Sequence, residues 1–99
     1  MNIKQNYIDK INVLCSKYNV EKMYLFGSVL TPKFSTKSDI DLLVKFKPFD
    51  LKFYFVNYMN LKENLEKLLG RNVDLVEEQT LKNPFLLKSI ERNKKLIYG

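Results

Sequence analysis

Histidine is absent from the 99 residues, and cysteine occurs once, at position 15. These absences exclude a zinc finger, a Ser-His or Cys-His nucleophile pair and any intrachain disulfide, so the chemistry of this chain has to run on carboxylates. Cys15 itself falls on the apolar stripe of an expected helix and reads as an ordinary core residue. The start, Met1-Asn2-Ile3-Lys4-Gln5-Asn6, lacks the apolar segment of a signal peptide. No run approaches the ~18 apolar residues of a membrane span. The expectation is a cytoplasmic protein with no membrane contact. There is no internal repeat, low-complexity tract or linker, and 99 residues leave room for one domain, 1–99, near the lower end of sizes that fold without staples.

What is present is the composition of a folded chain. The 45% hydrophobic and 28% charged fractions argue against disorder. The net charge of +6 suits an acidic ligand or partner, but the 17 basic residues are spread along the chain. Their densest group, Lys88, Arg92, Lys94 and Lys95, reads as a solvated face rather than a nucleic-acid site.

Tyr7, Ile8, Ile11, Leu14, Cys15 and Tyr18 recur at helical spacing and predict an amphipathic helix over 4–18. A strand is expected over 23–26. Pro32 and the polar run 35–38 mark a loop into a second strand that continues to Phe46. Asp50 is a suitable N-cap for a long helix with the stripe Leu51, Tyr54, Phe55, Tyr58, Leu61, Leu65 and Leu68, read as core and ending at Gly70. A third strand covers 73–76. Asn83-Pro84 opens a last helix carrying Leu86, Leu87 and Ile90, after which Leu96, Ile97 and Tyr98 return to the core or to a partner. The result is an α/β (α+β) fold, a small mixed sheet packed with helices. A long-helix crossover joins the second and third strands if these are parallel.

Three signals carry chemistry. In Asp39-Ile40-Asp41 the carboxylates stand on one face of a strand and the apolar residues Ile40, Leu42 and Val44 on the other. Two like charges ~4 Å apart repel by roughly 4 kcal/mol at a protein surface, and a divalent cation is the simplest compensation. Carboxylates suit Mg²⁺, which completes its shell with water and phosphate oxygens. Gly27-Ser28 follows the apolar run Met23-Tyr24-Leu25-Phe26: the glycine permits close backbone approach, and the serine adds a hydroxyl and an amide donor. A helix opening at Ser28 would add positive potential for phosphates. Finally, Asp74 interrupts the apolar run Val73-Asp74-Leu75-Val76 and needs a partner, which a shared metal supplies. Three such carboxylates can hold two metals ~3.5–4 Å apart, an arrangement suited to phosphoryl transfer. Taken singly, each signal has a plain reading: a turn at Gly27-Ser28, a solvated strand start at Asp39, and a surface residue at Asp74 on an edge strand whose Val73 and Leu75 form the core face.

Ten residues, Val29 to Ser38, separate Ser28 from Asp39. In that spacing, in Ser38-Asp39-Ile40-Asp41-Leu42-Leu43-Val44 and in the downstream Gly70-Arg71-Asn72-Val73-Asp74-Leu75-Val76, the chain resembles the minimal nucleotidyltransferases of the DNA polymerase beta-like superfamily. The resemblance runs from about Tyr24 to Tyr98. It implies the nucleotidyltransferase fold, with Asp39, Asp41 and Asp74 as metal-binding and catalytic carboxylates. Asp74 would orient or deprotonate the attacking hydroxyl, while Gly27 and Ser28 hold the triphosphate. Many relatives carry an arginine soon after the Gly-Ser; here Val29 and Leu30 stand there, and Lys33 or Lys37 is left to supply positive charge, Lys37 being the chosen nucleotide-binding candidate.

Stand-alone members of this size resemble the antitoxins of HEPN/MNT toxin–antitoxin modules. The implied function is Mg²⁺-dependent transfer of AMP from ATP to a hydroxyl, taken as tyrosine, of a HEPN ribonuclease toxin, with two Mg²⁺ ions and ATP as substrate. A second reading is an inactive antitoxin that occludes its toxin. A third is nucleotidyl transfer to a small molecule or an RNA end.

Overall fold

The computed structural model describes residues 5–27 and 39–99. Helix α1 (Gln5–Lys17) leads into strand β1 (Val20–Phe26), and strand β2 (Ile40–Phe46) follows. Helix α2 (Tyr54–Leu69), strand β3 (Val73–Glu77), helix α3 (Pro84–Asn93) and strand β4 (Lys95–Tyr98) complete the order. The four strands form one mixed sheet, β3-β2-β1-β4. β1 is antiparallel to β2 and to β4, whereas β2 and β3 are parallel, so α2 is the crossover that parallel pairing requires. Among the described residues, no helix is long and apolar enough to cross a membrane.

The apolar periodicities explain how the layers form. Ile11 and Cys15 of α1 and Leu61 and Leu65 of α2 are fully buried with Met23, Leu42 and Val44, on the sheet face formed by alternate residues of the strands. Burial pushes the Cys15 thiol up to about 12, as expected of a core cysteine. The other face is also partly covered. Leu43, which points away from Leu42, is buried, and Ile90 of α3 is buried outside the α1–α2 core. Lys94, the residue capping α3, places its Nζ 4.1 Å from the centre of the Tyr24 ring. Tyr24 pairs with Leu43, so α3 lies over this second face.

The start of the long helix differs from the sequence expectation. Asp50 caps a 3₁₀ turn, Leu51–Phe53, with Lys52 N–H donating to its carboxylate at 3.1 Å, and the α-helix proper begins at Tyr54. Leu51 and Phe55 are not core: they are 83% and 70% exposed. Tyr54, Tyr58, Leu61, Leu65 and Leu68 of the expected stripe do pack on the core; Leu51 lies in the 3₁₀ turn ahead of the α-helix, and Phe55, one residue past Tyr54, is turned about 100° away from that packed face. The C-terminal residues, expected to return to the core or to a partner, form β4 on the free edge of β1. Gly70 ends α2 in the left-handed conformation, and Asn83 caps α3 through Phe85 N–H and Leu86 N–H with Pro84 at the first helical position.

Candidate active site

The site grows from the ends of three strands. In β2, Ile40, Leu42, Val44 and Phe46 are buried against the helices, which leaves Asp41 on the opposite face with Leu43 and Lys45. Parallel register sets Asp41 beside Asp74 of β3, and antiparallel register sets it across from Phe26 of β1. Strand neighbours lie ~4.8 Å apart. At that separation two carboxylates repel by about 3 kcal/mol at an effective dielectric near 20. Asp74 is exposed and Asp41 half-buried. Val73 and Leu75, its neighbours in the strand, are buried on the core face, so the edge-strand geometry read for Asp74 is present together with its alignment on Asp41.

Gly27 closes the site from the β1 side. It has φ +75°, and a Cβ built there would collide with Asp41 Oδ2 and stand 3.0 Å from the carboxyl carbon. Only glycine lets this backbone lie flush against the carboxylate. Asp39 is exposed, immediately before β2, and continued alternation puts it on the face of Asp41. Ser28, Lys33 and Lys37, and with them the helix start at Ser28, lie outside the described residues.

The structure thus brings Gly27, Asp41 and Asp74 together. Among the described residues, no group of three or more Asp, Glu, Cys or His converges closely enough to hold a metal ion. The donor chemistry nevertheless fits Mg²⁺, which takes one or two protein carboxylates and fills its octahedron with water and phosphate oxygens.

Beside Gly27 a cleft of ≈ 670 Å³ runs between Phe26 and the face of α3 that carries Leu86, Ser89, Ile90 and Asn93, with Lys95 adding a cation. In the sequence, Leu86 and Ile90 read as the apolar face of a last helix and Lys95 as part of a solvated basic face, with no place at the site. The i, i+3, i+4, i+7 spacing of Leu86, Ser89, Ile90 and Asn93 marks one helix face, but nothing in the chain says that this face looks toward Gly27. Away from the cleft, Lys94 bridges Glu91 at 2.8 Å and Glu78 at 3.9 Å; desolvation is the largest single effect and lowers its ammonium pKa, but the hydrogen bond to Glu91 and the charges of Tyr24, Glu91 and Glu78 together hold it up.

Comparison with known proteins decides the family. Residues 9–99 match the family Polymerase beta, Nucleotidyltransferase. The chain belongs to this nucleotidyltransferase family. A Methanocaldococcus jannaschii protein named provisionally as a protein adenylyltransferase is 42% identical over 88 residues, covering 87% of this chain and 83% of its own. A solved structure described as a minimal nucleotidyltransferase superimposes with a TM-score of 0.77 at 31% identity, over 92% of this chain and 89% of the other. A toxin–antitoxin crystal structure with AMP-PNP gives 0.71 at 25% identity, over 98% of this chain and 74% of the other. The mixed four-stranded sheet with three helices is therefore the nucleotidyltransferase fold expected from the Gly-Ser and Asp-x-Asp spacing.

Proposed function

We propose that this nucleotidyltransferase transfers AMP from ATP to a hydroxyl, tyrosine being the favoured acceptor, of a HEPN ribonuclease toxin and thereby neutralises it. The observation that carries this reading is the register of Asp41 with Asp74 beside the left-handed Gly27. It is a pair of acidic oxygens next to backbone on which a triphosphate can lie. The similarity to a protein named as a protein adenylyltransferase and to a toxin–antitoxin structure with AMP-PNP supports the donor and the partner.

In the reaction the acceptor oxygen bonds to the α-phosphorus, the bond from that phosphorus to the bridging oxygen breaks, and pyrophosphate leaves. Asp39, Asp41 and Asp74 would hold Mg²⁺, which neutralises phosphate charge when bound. Asp74, at the exposed strand edge, would orient the acceptor hydroxyl and take its proton. Gly27, with Ser28 and Lys37 following it in the chain, holds the triphosphate. The cleft against α3 has the volume of a small-molecule site and joins the phosphate end at Gly27, giving the rest of the nucleotide a place.

The test is intact-mass spectrometry of the protein encoded by the neighbouring reading frame after incubation with this chain, ATP and Mg²⁺. The expected result is an added mass of one or more AMP units, absent with the Asp39→Asn, Asp41→Asn double variant. An unmodified partner held in a stable complex by both the native chain and the variant refutes transfer and leaves neutralisation by occlusion.

A further inference from the structure

Asp74 sits on β3, and among the described residues β3 is an edge strand with β2 on one side only. In a strand, the N–H and C=O of one residue point to the same side and those of the next residue to the other. The inward side of this segment is engaged by β2, as in the bond from Ile40 N–H to the Asn72 carbonyl at 3.1 Å. The outward side belongs to Val73 and Leu75, the two residues flanking Asp74, and one backbone group of each is taken by a side chain of α2. Val73 N–H donates to Glu66 Oε2 at 3.0 Å. The Tyr58 hydroxyl donates to the Leu75 carbonyl. One turn nearer the start of the helix, the Tyr54 hydroxyl donates to Glu77 Oε2, at the far end of β3.

Such an edge is ordinarily left to water or to another strand. Here side chains of α2 take one outward group on each side of Asp74, so the two bonds bracket the aspartate. Tyr58 is also close enough to Asp74 for that charge to hold its phenol pKa up, after the larger effect of burial. We propose that Tyr58 and Glu66 are positioning residues: they clamp the strand edge on both sides of Asp74 and fix its carboxylate in register with Asp41. This inference rests on the reading of Asp74 given above.

The test compares variants of the full chain with its protein acceptor, following AMP incorporation at varied ATP. Removing the clamp with Tyr58→Phe or Glu66→Ala is expected to lower kcat about tenfold, as loss of an orienting partner commonly does. KM for ATP stays within twofold, because Gly27 and Asp41 are untouched. Glu66→Gln, whose amide oxygen still accepts the Val73 N–H, keeps the native rate. Tyr54→Phe, which removes a bond of the same kind at Glu77 but leaves the residues flanking Asp74 fastened, also keeps it. Amide exchange at Val73, faster in Glu66→Ala and native-like in Glu66→Gln, reads the clamp without activity and in a folded chain. The proposal is overturned if Tyr58→Phe and Glu66→Ala leave kcat within twofold while Asp74→Asn abolishes transfer. It is equally overturned if Tyr54→Phe loses as much as Tyr58→Phe. Full activity in Asp74→Asn would instead bring down the assignment of Asp74 itself, and the clamp's role with it.

Discussion

Replacing Gly27 by alanine separates two costs that the structure combines at one position. Gly27 and Gly70 have nearly the same backbone, φ +75° and +67°, but different surroundings: a Cβ on Gly70 meets nothing within 4 Å, whereas one on Gly27 runs into the Asp41 carboxylate. Left-handed geometry costs an L-residue about 1–2 kcal/mol, partly offset by the reduced freedom of the unfolded alanine chain. Gly70→Ala is therefore expected to lose about 1 kcal/mol, a Tm decrease of about 4–8 °C for a domain of this size, with transfer activity unchanged. Gly27→Ala carries the same strain and must also turn Asp41 out of its rotamer, adding about 1 kcal/mol. The larger effect falls on chemistry, since a displacement of about 1 Å at a reacting centre can cost about 100-fold. Thermal melting by circular dichroism and AMP incorporation into the partner, measured on both variants, give the two readouts. A Gly27→Ala enzyme that transfers AMP as fast as Gly70→Ala refutes the reasoning, because Asp41 would then not need the position the glycine leaves for it.

Three further outcomes are expected. Leu65, fully buried between α2 and the sheet, should lose about 2–5 kcal/mol on truncation to alanine, readable as a lowered urea midpoint. Asn83→Ala removes the side-chain cap from Phe85 and Leu86 N–H and should cost about 1 kcal/mol by the same measurement. At alkaline pH, Tyr54 and Tyr58 keep their protons above the ordinary phenol range, chiefly because burial disfavours the phenolate; the hydrogen bond to Glu77 adds to this for Tyr54, and the charge of Asp74 for Tyr58. The unfolded chain releases these protons first, from about pH 10, so stability should be complete below that pH and fall as pH rises toward the folded values. Tyr54→Phe, Tyr58→Phe should flatten that fall in denaturation curves taken at increasing pH; an unchanged slope would contradict the burial of these rings.

Much of this protein was legible in local patterns, because those patterns are set by short-range chemistry. Alternation in Ile40–Phe46 assigns Asp41 to the face opposite Leu42 and Val44, the left-handed stop at Gly70 ends α2, and Asn83-Pro84 opens α3; each depends on a few neighbouring residues. The spacing from Gly27-Ser28 to Asp39 and Asp41 carries the resemblance to the family in the sequence itself. What the chain alone left open depends on contacts distant in sequence. Leu51 and Phe55 belong to the same apolar run as Tyr54, Tyr58, Leu61 and Leu65, and only the packed structure shows that Tyr54 and Tyr58 meet the core while Leu51 and Phe55 stay exposed. Leu96–Tyr98 became a strand because β1 had a free edge to pair. The alignment of Asp41 with Asp74, and the seating of Tyr58 and Glu66 on either side of that aspartate, follow from the parallel register of β2 and β3 and from the path of α2 between them. Sequence determined which side chains were available and which way each faced on its own element; tertiary packing decided which of them meet, because register and crossover geometry are properties of the assembled sheet.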